Sequence, residues 1–213
     1  MKNINTSSYW NARFGSDDWV KKGGREQTRS LAEAFIRFID LPDNFSGTIL
    51  DFGCGTGDAI PVLKKRFPKA RLIGIDFSEE AIEKCIQNYG NDGKFLCGTF
   101  ETVTEADLII ASNIFEHLSG DMEIAKQLIM KCRLLCIIVP YMEEIKSEDE
   151  HINSYTENSF NELNPYKVKI FKSKGWSENG IDLIFNIYLK NIFKYIIGYP
   201  IRRVRKQILF CIK

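Results

Sequence analysis

No apolar run in this 213-residue chain is long and uninterrupted enough to span a bilayer. The most apolar late stretch, residues 181 to 197, is broken by Asp182, Asn186, Lys190 and Lys194, and the opening MKNINTSSYW lacks the apolar core of a signal peptide. A cytoplasmic protein is expected. The chain also has no C-x-x-C pair: Cys54, Cys85, Cys97, Cys132, Cys136 and Cys211 are scattered, so no metal site and no disulfide framework is signalled. Histidine is scarce, with only His117 and His151. A strong net charge is missing as well. The 29 Lys plus Arg nearly balance 28 Asp plus Glu, which argues against a nucleic-acid partner. Repeats and low-complexity tracts are absent.

The 44% hydrophobic content suits one folded domain, expected over residues 1–189. Residues 190–213 stand apart, with Lys190, Lys194, Arg202, Arg203, Arg205, Lys206 and Lys213 and no acid.

Three short apolar runs, TILDFG (48–53), RLIGIDF (71–77) and DLIIAS (107–112), read as buried parallel strands, with LLCIIVP (134–140) a fourth and 94–97 one more. Helical stretches alternate with them: 58–67, 78–89 with Ser78 as cap, and 121–132, preceded by 26–39. A doubly wound α/β sheet with helices on both faces follows. After Pro140 the pattern changes. Residues 141–151 read as a polar loop, 156–163 as a short helix, and 168–173 with 181–189 as an antiparallel hairpin.

The first strand runs into Gly53-Cys54-Gly55-Thr56-Gly57, and the second ends at Asp76, 19 residues after Gly57. Alternate glycines let the backbone turn and approach a ligand closely. A carboxylate after the second strand suits two ribose hydroxyls. The pair implies a nucleoside-containing cofactor. The dinucleotide pattern G-x-G-x-x-G and the G-K-[ST] ending of phosphate loops are both absent.

The string ILDFGCGTGD (49–58) instead resembles the first motif of class I S-adenosylmethionine-dependent methyltransferases. GIDFS (74–78), ADLIIASNIFEHL (106–118) and LLCIIVP resemble later motifs of that family, so the similarity covers about residues 47 to 165. The resemblance implies a Rossmann-like sheet of seven strands ending in an antiparallel hairpin, with S-adenosylmethionine as cofactor and S-adenosylhomocysteine as product. It places Asp51, Gly53, Cys54, Gly55 and Gly57 around the methionine part, Asp76 on the ribose, Phe77 against adenine, and Asn113 on the cofactor side. Many relatives carry an acid after the third strand. This chain has Thr99 and Phe100 there, which must serve instead.

Methyl transfer from a sulfonium needs positioning and exclusion of water rather than a covalent nucleophile. A hydroxyl acceptor adds the need for a base, for which His151 and His117 are candidates, each with a plain structural alternative. Tyr141, Glu116 and Tyr155 are expected to line the same mouth. The segment 9–28, with Tyr9, Trp10, Phe14 and Trp19 but no regular periodicity, reads as a lid hinged at Gly23 and Gly24, with Arg25 reaching a carboxylate of cofactor or substrate; the alternative is a terminal arm anchored by its aromatics. This segment weakly resembles the start of methyltransferases of surface-glycan biosynthesis, which implies a small-molecule acceptor, a sugar or glycan-precursor oxygen. A lipid-quinone, an amine, a phosphorylated metabolite and a non-catalytic partner subunit are the rivals. Finally, Ile201, Val204, Ile208 and Cys211 or Ile212 recur at helical spacing among basic residues, so 199–213 reads either as an amphipathic helix giving weak peripheral contact with an anionic membrane or as a helix docked on the domain.

Overall fold

The computed structural model describes residues 4–145, 150–173, 189–197 and 206–213. Among the described residues seven strands form one sheet: β1 (Thr48–Phe52), β2 (Arg71–Asp76), β3 (Lys94–Cys97), β4 (Ala106–Ser112), β5 (Cys132–Pro140), β6 (Lys167–Lys172) and β7 (Lys206–Ile212). Their order is β3-β2-β1-β4-β5-β7-β6. The pairings from β3 to β5 are parallel, while β7 is antiparallel to both β5 and β6. The helices among these residues are α1 (Ser7–Gly15), α2 (Asp18–Lys21), α3 (Gly24–Ile36), α4 (Ile60–Arg66), α5 (Glu79–Tyr89), α6 (Asp121–Ile129) and α7 (Lys190–Ile196).

Strand periodicity divides the core into two layers. Ile49, Leu108, Ile110, Cys136 and Leu209 face α3, α4 and α5, in one cluster with Phe35, Leu63 and Cys85. Leu50, Ile109, Ile137, Ile208 and Phe210 face the other way, against Leu128 of α6 and against Phe115, Tyr155 and Phe160. Each fully buried Leu, Ile or Phe contributes about 1.5–3 kcal/mol of transfer free energy. These layers fix the carboxyl ends of β1, β2 and β4 side by side, and sheets of this kind bind ligands at that edge.

The expected α/β sheet and its parallel strands are present, and Ser78 caps α5 by accepting a hydrogen bond from the Ala81 amide. Four expectations need correction. The segment 9–28 is helical, in α1, α2 and the start of α3, because its aromatic residues pack on α5 through Trp10, Phe14 and Ala81. Residues 156–163 form only a 3₁₀ turn at Asn161–Leu163. The partner of β6 is β7, and residues 181–188 of the expected hairpin lie outside the described residues. Lastly, 206–212 is a strand held between two others, with Ile208 to Ile212 fully buried. That burial leaves no amphipathic helix over these residues to lie on a membrane; Ile201 and Val204 are outside the described residues. Among the described residues no helix is long and apolar enough to cross a membrane.

Candidate functional site

Beyond the ends of β1, β2 and β4 the chain encloses a cavity of about 1460 Å³. Its floor is the glycine loop. Gly53, Gly55 and Gly57 have φ of +73°, +51° and +78°, the left-handed region where a side chain is strained. A Cβ on Gly53 would stand 2.7 Å from Ile114 Cγ1. The loop is tied to β2, since the Gly53 and Cys54 amides both donate to the Ile75 carbonyl, at 2.8 and 3.0 Å. Gly57 does not line the cavity: a Cβ there would stand 2.9 Å from Cys85 Sγ and 3.0 Å from Tyr89 Cδ2, so its smallness serves the packing of the loop on α5.

Asp76, at the end of β2, accepts hydrogen bonds from the Gly55 amide (2.8 Å) and the Ser78 amide (2.9 Å), one on each carboxylate oxygen. Each oxygen has a second lone pair for a further donor. Burial raises its pKa, and these backbone bonds oppose the rise. Asp51 is also buried; burial first and the Asp76 charge second push its pKa up to about 7. Asn113 has a φ of +53°, and its side-chain oxygen is buried without a hydrogen-bond partner among the described residues. Asp51, Gly53, Cys54, Gly55, Asp76, Phe77, Thr99, Phe100 and Asn113 all line the cavity. Two acids, a glycine cradle and an orphaned buried acceptor fit a polar nucleoside bearing hydroxyls and an amine.

The cavity continues to Tyr9, Trp10, Trp19, Glu116, His117 and His151. His117 Nδ1–H donates to the Glu150 carbonyl at 3.1 Å, and the two imidazoles meet edge to face with centroids 4.8 Å apart. Burial, followed by the charges of His151 and Arg13, pulls the His117 pKa down to about 3, which keeps the ring neutral. His151 Nδ1–H donates to Glu143 at 2.6 Å, and the carboxylate holds the tautomer with a basic Nε2.

Three expected site residues are turned elsewhere. Tyr141 donates to Glu157 at 2.5 Å and is absent from the cavity lining. The buried Tyr155 hydroxyl shares its one proton between the Phe115 carbonyl and Asp121, at 2.8 and 2.7 Å, fixing the turn beneath the histidines. Arg25 does find a carboxylate, but it is the protein's own Asp58, at 2.9 Å. Asp58, 1% exposed, also accepts from Tyr89 and Thr56, both at 2.6 Å, and pairs with Arg29. This network clamps the glycine loop between α3 and α5.

Sequence reading missed Glu143, Glu150 and Arg13. Glu150 pairs with Arg13 and accepts from Tyr9, joining α1 to the segment after β5. The available signal was the density of acids in YMEEIKSEDEH, beside the single cation that follows Tyr9 by one helical turn.

Comparison with known proteins places these features. Residues 49–133 match a family model described as a methyltransferase domain. The chain is 30% identical over 105 residues to tRNA N(3)-methylcytidine methyltransferase of Schizosaccharomyces pombe, covering 47% of this chain and 33% of that protein. It is 33% identical over 96 residues to malonyl-[acyl-carrier protein] O-methyltransferase of Anoxybacillus flavithermus, covering 43% and 36%. The chain thus spans about a third of the length of these relatives. The structure of plantazolicin methyltransferase BpumL in complex with SAH superposes with a TM-score of 0.58 at 21% identity, over 97% of this chain and 95% of that one. At that identity the likeness is one of fold. Residues 49–133 are thus similar to a methyltransferase domain, set in a sheet that shares the fold of the BpumL structure.

Proposed function

We propose that the chain is an S-adenosylmethionine-dependent methyltransferase acting on an oxygen of a small molecule. The observation that carries the reading is the cradle at the end of β1 and β2, where Asp76 anchors the Gly55 amide and faces a cavity shared with Asp51 and Asn113. Asp76 takes the ribose hydroxyls, Asp51 the amine, Phe77 one face of the base, and Thr99 with Phe100 its edge. Bound there, the cofactor supplies an electrophilic methyl group on sulfur. The chain's own work is to hold the acceptor in line with that methyl, exclude water and take a proton.

His151 is the better base of the pair, because Glu143 orients its ring, whereas burial keeps His117 neutral. In the step, the acceptor oxygen would gain the methyl as the carbon–sulfur bond breaks with its electron pair left on sulfur, and would lose its proton to His151 Nε2. Tyr9, Trp10 and Trp19 close the cavity as the lid, and aromatic side chains in a cavity that Glu143 and Glu150 also line suit a sugar ring or glycan precursor. Incubation with methyl-labelled S-adenosylmethionine and a panel of nucleotide sugars, glycan fragments, carboxylic acids and amines tests this. Label on a sugar oxygen supports the full reading. Label only on an amine or carboxylate overturns the acceptor class.

A further inference from the structure

The 3₁₀ turn at Phe115–His117 and the segment after β5 bring together three side chains of metal-ligating type. One donor atom each from Glu116, His117 and His151 lies within 4.8 Å of the other two. We propose that this triad binds one divalent first-row transition-metal ion in the cavity wall. That the ion sits where the acceptor docks rests on the methyl-transfer reading above; the ion site itself stands on the triad.

Both imidazoles are held by partners outside the triad. His117 Nδ1 donates to the Glu150 carbonyl at 3.1 Å and His151 Nδ1 to Glu143 at 2.6 Å. Each bond fixes the tautomer that presents Nε2 as a lone pair, the outer-shell arrangement of metal-binding histidines. Glu116 is completely buried. Its backbone carbonyl accepts from the Ile152 and Asn153 amides at 2.7 and 3.2 Å, and the Asn153 side chain donates to the Phe115 and Leu118 carbonyls at 3.0 and 2.7 Å. Ligands 34 residues apart in sequence are therefore laced together by backbone before any ion arrives. The cation acting on His117, Arg13, is paired with Glu150.

Two nitrogens and one carboxylate favour Mn(II), Fe(II), Co(II) or Zn(II) over Mg(II), which prefers all-oxygen octahedra. Bonds of about 2.0–2.2 Å need ligand atoms roughly 3.0–3.5 Å apart, so binding draws the triad together through side-chain adjustment. Three protein ligands leave coordination positions for an acceptor oxygen. An ion on His151 Nε2 replaces that nitrogen as the group meeting the acceptor, so metal occupancy and the base role exclude each other.

The test uses tag-free, chelator-treated full chain titrated with Mn(II), followed by electron paramagnetic resonance, with Co(II) absorption as a second probe and Mg(II) as the comparison. One Mn(II) per chain is expected, with Mg(II) at least about 10-fold weaker. Glu143→Gln should weaken Mn(II) by about 10- to 100-fold, and Glu116→Gln and His151→Ala by more. Absence of saturable Mn(II) binding, Mg(II) binding as tight as Mn(II), or unchanged affinity in Glu116→Gln overturns the site. Calorimetry with S-adenosylhomocysteine on the same samples separates the two claims. A chain that binds the nucleoside but no ion loses the ion site alone. Ion binding without nucleoside binding keeps the site and removes its acceptor role.

Discussion

The Asp76 carboxylate accepts the Gly55 amide at 2.8 Å, so the acid that ends one strand holds the shape of the loop that follows another. Its other oxygen accepts the Ser78 amide at the start of α5. The residue assigned to the ribose is also a keystone of the cradle. Asp76→Ala should weaken S-adenosylhomocysteine binding by about 1–3 kcal/mol, a loss of hydrogen bonds to a buried acceptor, and lower the melting temperature as well. Calorimetry and thermal unfolding on the same variant check this; unchanged affinity removes Asp76 from the site.

Asp51 sets a pH dependence of stability. Its folded pKa of about 7 lies above the ordinary carboxylate value of 3.8, so between those limits the folded chain binds more protons than the unfolded one. Its contribution is most favourable below pH 3.8 and is lost as pH rises to 7. Relative to Asp51→Asn, the wild type should lose up to about 4 kcal/mol across that window. Parallel denaturation curves for both chains from pH 4 to 8 would leave Asp51 with an ordinary pKa.

Arg25 is assigned to the fold rather than to a ligand. Removing it takes one cation from the buried Asp58, which keeps Arg29, Tyr89 and Thr56. Arg25→Ala should cost about 2–3 kcal/mol of stability while leaving the affinity for S-adenosylhomocysteine within about twofold at a temperature where the variant is folded. A large drop in affinity at unchanged stability would return Arg25 to the ligand.

His151→Ala should reduce turnover by about 10²–10⁴-fold and leave cofactor affinity intact, because Asp76 and the glycine loop lie on other strands. Full activity in the variant rejects both a base and an acceptor-positioning role for His151.

Strands β1, β2, β4 and β5 were legible because each is a short apolar run closed by Gly, Asp, Ser or Pro. The glycine loop with Asp76 was legible for the same reason: its residue types act through backbone and charge, which a sequence states outright. The strand β7 was not. Its apolar run ILFCI is buried on both faces and follows RRVRKQ, and a short apolar run of that kind satisfies helical and extended periodicity alike. Tyr141 and Tyr155 sit at the expected edge of the sheet, yet their hydroxyls take Glu157 and Asp121. Direction of a side chain at a strand end depends on partners that only the fold supplies. The same holds for Arg25, whose carboxylate partner is 33 residues away.

The most direct test of the account is calorimetric titration of the full chain with S-adenosylhomocysteine, with NAD as control. The cradle of Gly53, Gly55, Asp51 and Asp76 predicts one-to-one, micromolar binding of S-adenosylhomocysteine and none of NAD. A folded chain that binds neither, or binds NAD alone, contradicts it.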